Sequence, residues 1–219
     1  MINPYKLNKK ELLKFFTGRC VHGHKYHEHP NCFTKESGTP LKIGYFDIEA
    51  GGLKANFDYM LTYCIKTRDK DEFYKGVIDA KEIRKFKFDE KLVKQLITDI
   101  SRYDVIVTYY GTGYDIPFIR TRALFWKLPF PQFGYIQHKD VYYMVKSKLC
   151  LHRNSLDAAT RFLGIKGKNH IDGIIWGKAK LGDPKSLEYV LDHNTKDCII
   201  LEKLHKKLEE FVRKTTKSI

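Results

Sequence analysis

The chain has 219 residues, with 40 Lys and Arg against 26 Asp and Glu, a formal net charge of +14. Hydrophobic residues make up 42% and aromatic residues 14%, which supplies a sizeable core and excludes a wholly disordered chain. No apolar run approaches the roughly 18 residues that cross a bilayer, and MINPYKLNKKELLKFF lacks the pattern of a secretory leader, so a soluble, intracellular, cytoplasmic protein is expected.

Residues 5–16 (YKLNKKELLKFF) read as a short amphipathic helix with Leu12, Leu13, Phe15 and Phe16 on its apolar side. Next comes CVHGHKYHEHPNC, which places Cys20, His22, His24, His27, His29 and Cys32 within thirteen residues. The chain has five Cys, an odd number, which argues against a disulfide framework in an intracellular protein. Cys64, Cys150 and Cys198 lie in apolar patterns and read as small buried hydrophobes. Zinc takes four thiolate or imidazole ligands in a tetrahedron, so Cys20 and Cys32 with two of His22, His24 and His29 would close a structural zinc site. His22 or His24 with His29 is the favoured pair, because Pro30 fixes the turn between His29 and Cys32. A solvated His-rich loop is the alternative, and two local thiolates are too few for an iron–sulfur cluster. KESGTP (35–40) has a linker composition and divides an N-terminal segment, 1–38, from a main domain, 39–219.

The main domain opens with a buried strand at 42–49 that ends in acids, followed by strands at 57–66 and 72–79, an antiparallel meander. Leu92, Val93, Leu96, Ile97 and Ile100 mark a helix over 89–102. DVIVTYY (104–110) is a short buried strand, and 116–127 is a helix that tolerates Pro117 in its first turn. Ser155 and Gly164 bound another helix, and 184–214 is helical, with one break allowed and with Ile200, Leu204, Leu208 and Phe211 forming a stripe for packing on the sheet. This order is α/β, an open mixed sheet flanked by helices with ligands at its strand ends.

Acidic residues stand where neutral ones would be simpler. Asp47 and Glu49 are two apart on a strand and so share a face, where their mutual repulsion calls for positive charge. Asp115 follows a Gly-Thr-Gly turn and opens a helix, a position that a helix N-cap also explains. His193 and Asp197 are four apart and share a helix face, as an ordinary surface His–Asp pair also would.

Together, YFDIEA, VTYYGTGYDIPFI and YVLDHNTKDCII resemble the motifs of the DEDD superfamily of 3′–5′ exonucleases, in the ribonuclease H-like branch related to family B polymerase proofreading domains. The resemblance spans about residues 41–212 and implies a ribonuclease H-like fold with two Mg²⁺ or Mn²⁺ ions. It implies that Asp47 bridges both ions, that Glu49 holds the ion carrying the attacking water, that Asp115 serves the leaving-group ion and that Asp197 completes the nucleophile side. The superfamily places a Tyr four residues, or a His five residues, before the last Asp. Here those positions hold His193 and Asp192, so His193 combines the tyrosine spacing with histidine chemistry and is the candidate general base, with Tyr189 behind it.

The positive charge points to a nucleic-acid partner, DNA or RNA, at a 3′ end. Lys146, Lys148, His152 and Arg153 precede a helix, and Lys166, Lys168 and His170 follow it, as phosphate contacts or as plain solvated charge. Tyr109, Tyr110 and Tyr114 are candidates for base stacking or for core packing. By resemblance, Gly51, Gly52 and Leu53 form a loop that cradles the terminal nucleotide. The expected activity is metal-dependent 3′–5′ exonuclease cleavage. The alternatives are a structure-specific endonuclease on the same fold and a non-catalytic nucleic-acid-binding module.

Overall fold

The computed structural model describes residues 7–20, 23–28, 30–37, 41–132, 135–167 and 171–211. Five strands form one sheet: β1 (Ile43–Ala50), β2 (Met60–Thr67), β3 (Phe73–Val77), β4 (Val105–Thr108) and β5 (Gln137–Asp140), in the order β3-β2-β1-β4-β5. The first three are an antiparallel meander, as expected, while β4 and β5 run parallel to β1. This is the mixed, ribonuclease H-like sheet that the resemblance implies. β2 is buried along its whole length, so helices must cover both faces.

The helices are α1 (Lys9–Thr17), α2 (Pro30–Ser37), α3 (Ala80–Arg84), α4 (Glu90–Ile100), α5 (Asp115–Phe125), α6 (Val141–Lys148), α7 (Leu156–Phe162), α8 (Gly173–Lys180) and α9 (Pro184–Leu208). Successive side chains of β1 go to opposite faces of the sheet. Phe46 and Ile48 pack with Leu92, Val93 and Leu96 of α4 and with Phe118 and Ile119 of α5. Tyr45 packs on the other face with Val141 and Val145 of α6 and with Leu201, Leu204 and Leu208 of α9. Asp47 and Glu49 therefore share the α9 side.

α9 runs unbroken for 25 residues, with Asp183 accepting from the Ser186 N–H at its start. Its buried stripe ends at Leu208, and Phe211 is 54% exposed in a 3₁₀ turn that follows. Polar ties fasten its C-terminal half to β2 and to the turn after it. Glu202 pairs with Lys66 at 2.5 Å and accepts from the Asp69 N–H, and both terminal guanidinium nitrogens of Arg68 reach Glu209, at 2.5 and 2.7 Å. His205 lies 3.0 Å from the Tyr45 hydroxyl, and burial holds its imidazole down at about 4.

Several elements differ from the sequence expectation. In α1 only Phe15 is buried, while Leu13 and Phe16 are exposed. Pro30 opens α2 instead of fixing a turn, and α2 extends to Ser37, so half of the KESGTP stretch is helical and residues 38–40 lie outside the described residues. β5, α6 and α8 carried no clear periodic signal. β5 is QHKD, whose extended form comes from pairing with β4, and α6 is dense in β-branched and aromatic residues. Cys150 is exposed, whereas Cys64 and Cys198 are buried. Among the described residues no helix is long and apolar enough to cross a membrane.

One buried ion pair ties the site-bearing elements together. Asp89, fully buried just before α4, receives Nε and Nη2 of Arg122 (2.9 and 2.6 Å), the Trp126 indole N–H at 2.8 Å and the Met60 N–H at 2.9 Å. Arg122 also donates to Ala55 O at 3.0 Å, which joins α5, the start of β2 and the β1–β2 loop. Replacing Arg122 by Met leaves Asp89 charged and buried, and should cost about 3–5 kcal/mol in chemical denaturation. Adding Asp89→Asn to that variant should recover part of the loss. A loss below about 1 kcal/mol in Arg122→Met would show that the pair does not hold these elements.

Candidate active site

Asp47 and Glu49 stand near the C-terminal end of β1, opposite Cys64 and Thr62 of β2, just before a register shift between Glu49 and Ala50. Next to them, the chain leaves β4 through a tight turn. Tyr110 adopts a left-handed conformation (φ 62°), which is strained for a residue with a side chain. Asp140, at the end of β5, holds the turn by accepting from the N–H groups of Tyr110 (2.8 Å) and Thr112 (3.0 Å), and it also accepts from Tyr142 N–H at the start of α6. Gly113 is required because a Cβ there would lie 2.5 Å from the Tyr110 ring. Asp140 was not foreseen as a site residue. Its position before Val141, as the cap of a helix, was the available signal.

The turn delivers Asp115 as the first residue of α5, with Tyr114 in the cap position. Its side chain does not cap the helix. Oδ1 accepts instead from Ile48 N–H of β1 at 3.1 Å, which binds the helix start to the strand that carries Asp47 and Glu49.

From the opposite layer, α9 presents Val190, His193, Asn194, Asp197, Cys198 and Leu201 as its buried face, a spacing of three and four residues. His193 Nε2 is 3.5 Å from Glu49 Oε1 and 3.8 Å from Asp197 Oδ2. Asn194 donates from Nδ2 to Asp47 Oδ2 at 2.6 Å. The sequence reading missed Asn194, although it lies three residues before Asp197 on the same helix face. Asp192 is exposed and pairs with Lys196 at 2.6 Å, turned away from this face. Tyr189 is 38% exposed one turn earlier.

Asp47, Glu49, Asp115 and Asp197 are thus brought together from β1, α5 and α9. Burial, and then the charges of Glu49, Asp115 and Asp197, push the Asp47 carboxyl well above the usual carboxylate range, against the hydrogen bond from Asn194. Burial pushes Asp115 up to about 7, opposed by the Ile48 N–H. Burial likewise raises the Tyr114 phenol, with the site carboxylates adding to it. Four carboxylates are hard oxygen donors, and their crowding under burial is relieved by cationic charge. This donor set fits Mg²⁺ or Mn²⁺.

The residues expected to touch substrate divide. Gly51 and Gly52 lie against Asp58, which pairs with Lys180 at 2.7 Å, and a Cβ on either glycine would strike the Asp58 carboxylate. Beyond them Leu53 is 80% exposed and so is Phe57, at 84%, a residue that the sequence reading did not select. Tyr110 is half exposed beside the ring of Tyr142. Tyr109 and Tyr114 instead serve packing: the Tyr109 hydroxyl donates to Asn154 O at 2.6 Å and the Tyr114 hydroxyl to Gly52 O at 3.0 Å. Lys146, Lys148, His152, Arg153 and Lys166 are exposed, and Lys168 and His170 lie outside the described residues.

In the N-terminal segment Cys20 and Cys32 come together, with His24 Nδ1 4.0 Å from Cys20 Sγ. His22 and His29 lie outside the described residues. Glu36 joins the two thiols. It was missed because it falls in the stretch read as a linker.

Comparison with known proteins gives likenesses of two kinds, to a family model and to solved structures. No curated protein matches the sequence. Among solved structures, the fold is similar to the family B DNA polymerase from the hyperthermophilic archaeon Pyrobaculum calidifontis, with a TM-score of 0.54 and 22% identity, over 78% of this chain and 25% of that chain. This chain therefore corresponds to about a quarter of the polymerase's length. The family model RNase_H_2, of the RNase_H superfamily, matches residues 44–209, from the second residue of β1 to the end of α9 and one residue beyond. Most of the chain lies within that match, and the protein belongs to the RNase H superfamily, with its nuclease-type fold.

Proposed function

We propose that the protein is a metal-dependent 3′–5′ exonuclease acting on DNA or RNA. The observation that carries this reading is that Asp47, Glu49, Asp115 and Asp197 lie near enough for the last three to raise the Asp47 carboxyl, in a partly buried site with His193 between Glu49 and Asp197. Membership of the RNase H superfamily supports phosphodiester chemistry on nucleic acid, and the three sequence motifs support attack at a 3′ end.

Two divalent cations held by Asp47, Glu49, Asp115 and Asp197 would lower the pKa of the attacking water and offset charge on the leaving oxygen. Asn194 fixes one oxygen of Asp47, and Ile48 N–H fixes one oxygen of Asp115, so these carboxylates keep their orientation when substrate arrives. His193 Nε2 accepts the proton of the attacking water, and the Glu49 and Asp197 carboxylates stabilise the imidazolium that results. Water oxygen bonds to phosphorus as the bond to the 3′-oxygen breaks. That oxygen takes a proton from solvent, a nucleoside 5′-monophosphate leaves and the shortened strand keeps a 3′-hydroxyl. Leu53, Phe57 and the Tyr110 ring offer exposed apolar faces to the unstacked terminal bases.

A 5′-labelled single-stranded oligonucleotide incubated with Mn²⁺ should give a ladder of products shortened from the 3′ end. Asp47→Asn should abolish the ladder, and His193→Ala should slow it about 10²–10⁴-fold while oligonucleotide binding persists. Cleavage of a circular substrate at equal rate would favour the endonuclease. Binding without cleavage in any divalent metal would favour the non-catalytic module.

The raised Asp115 carboxyl has a sign that can be measured. Between about pH 4 and pH 7 the folded chain keeps a proton at Asp115 that the unfolded chain releases, so this group's contribution to stability falls as pH rises and levels off above its folded value of about 7. His205, held at about 4, slopes the other way between about pH 4 and 6.5. The readout is therefore the difference between Asp115→Asn and the wild type in chelator. Asn should gain relative stability from pH 5 to pH 7.5, by roughly 2.7 kcal/mol at most, because only about two pH units of the shift fall in that window. Mn²⁺ should raise the melting temperature of the wild type at pH 8 far more than at pH 5, because its ligands must be deprotonated. A pH-independent difference together with equal Mn²⁺ effects would contradict this account of the site.

A further inference from the structure

A close group of metal-ligating side chains lies in the N-terminal segment, distinct from the carboxylate centre. Ligand atoms of Cys20, Cys32 and Glu36 all lie within 4.8 Å of one another. Two thiolates bound to one zinc at roughly 2.3 Å stand about 3.8 Å apart, so groups this close need move by no more than about 1 Å to reach a tetrahedral edge.

The local fold explains why the three groups meet. Arg19 and Lys25 form an isolated antiparallel bridge, Cys20 N–H donates to His24 O at 2.9 Å, and Gly23 takes a left-handed φ of 81°. Arg19 closes it with a 2.7 Å hydrogen bond to Gly23 O. Cys20 and His24 stand just inside this bridge. Cys32 is the third residue of α2, where the positive end of the helix dipole favours a thiolate, and Glu36 follows one turn later on the same face. The Tyr26 hydroxyl donates to Glu36 Oε2 at 2.7 Å, the kind of outer hydrogen bond that orients a ligating carboxylate.

Among the described residues, the hydrophobic core of this segment is Phe15, Cys20, Tyr26 and Phe33, with Leu7 and Cys32 packed against it. The Phe33 ring meets Phe15 and Tyr26 edge-on at 5.2 and 5.1 Å. So few apolar residues bury too little area to order a segment unaided, a shortage that small domains offset with a metal.

We infer that Cys20, Cys32 and Glu36, with His24 beside Cys20 as the fourth ligand, hold a structural zinc ion that fastens the Arg19–Lys25 bridge to α2. Soft thiolates select zinc over the hard cations suited to the carboxylate centre, so the two centres take different metals. Tyr26 is a positioning residue for Glu36.

Full-length protein purified without chelators should contain about one zinc per chain by elemental analysis. Asp47→Asn and Asp197→Asn should keep it, while Cys32→Ser loses it. Cobalt exchanged into the wild type should show thiolate-to-metal charge transfer and tetrahedral d–d bands. Glu36→Gln and Tyr26→Phe should each give up zinc to a competing chelator at about tenfold lower chelator concentration. Folding failure in a cysteine variant is bypassed by alkylating the wild type: Cys20 and Cys32 should become reactive only after chelation, while the exposed Cys150 reacts throughout. The proposal is overturned if the protein neither contains nor takes up zinc, if zinc survives Cys32→Ser but not Asp47→Asn, or if chelation leaves the alkylation pattern unchanged. Unaltered zinc retention in Glu36→Gln would remove Glu36 from the ligand set.

Discussion

Carboxylates crowded out of water repel one another, and in this molecule that repulsion is held in place by the packing around it. Asp47 and Glu49 are fixed by the alternation of β1, Asp115 by its bond to Ile48 N–H, and Asp197 by the packing of α9 on the sheet. None of the three elements could move aside without exposing the core clusters on either face of β1. The hydrophobic core thus holds the acids together against a force that, without counter-charge, would drive them apart. The Asp89–Arg122 pair and the Glu202 and Glu209 ties act at the periphery of the same scheme. They fix the loop beside the site and the helix behind it.

Much of the main domain could be read from the chain itself because its signals were periodic. The alternation of β1 and the three-and-four spacing of α4 are consequences of burial on one face, and burial is what hydropathy reports. The acids could be read for the opposite reason, since they break an apolar pattern where nothing local demands it. Elements defined by partners were silent: QHKD becomes a strand only because β4 lies beside it. Asn194 and Asp140 escaped notice on similar grounds. Each is an ordinary polar residue whose importance lies in what it grips across 147 and 30 positions of sequence. Tyr109 and Tyr114 illustrate the converse, because a tyrosine beside a catalytic-looking turn reads as a stacking platform until its hydroxyl is seen to be engaged in packing.

The N-terminal segment shows where composition misleads. Residues 35–37 carried a linker composition, yet they form the end of α2 and bring Glu36 against the cysteines. Short helices of polar residues lack a stripe long enough to register as periodic, so their existence rests on tertiary contacts such as those of Phe33 with Phe15 and Tyr26.

The unbroken course of α9 has a geometric corollary. Its 25 residues form one rigid rod about 37 Å long, anchored at Glu202 and carrying His193, Asn194 and Asp197 about one and a half to two and a half turns nearer its start. Each residue turns the rod by about 100°. A single codon gained or lost between Asp197 and Glu202 would leave helix and anchor intact, yet swing the three polar groups out of phase with β1. Drift in length is tolerable at either tip of the rod, and forbidden in the few positions between.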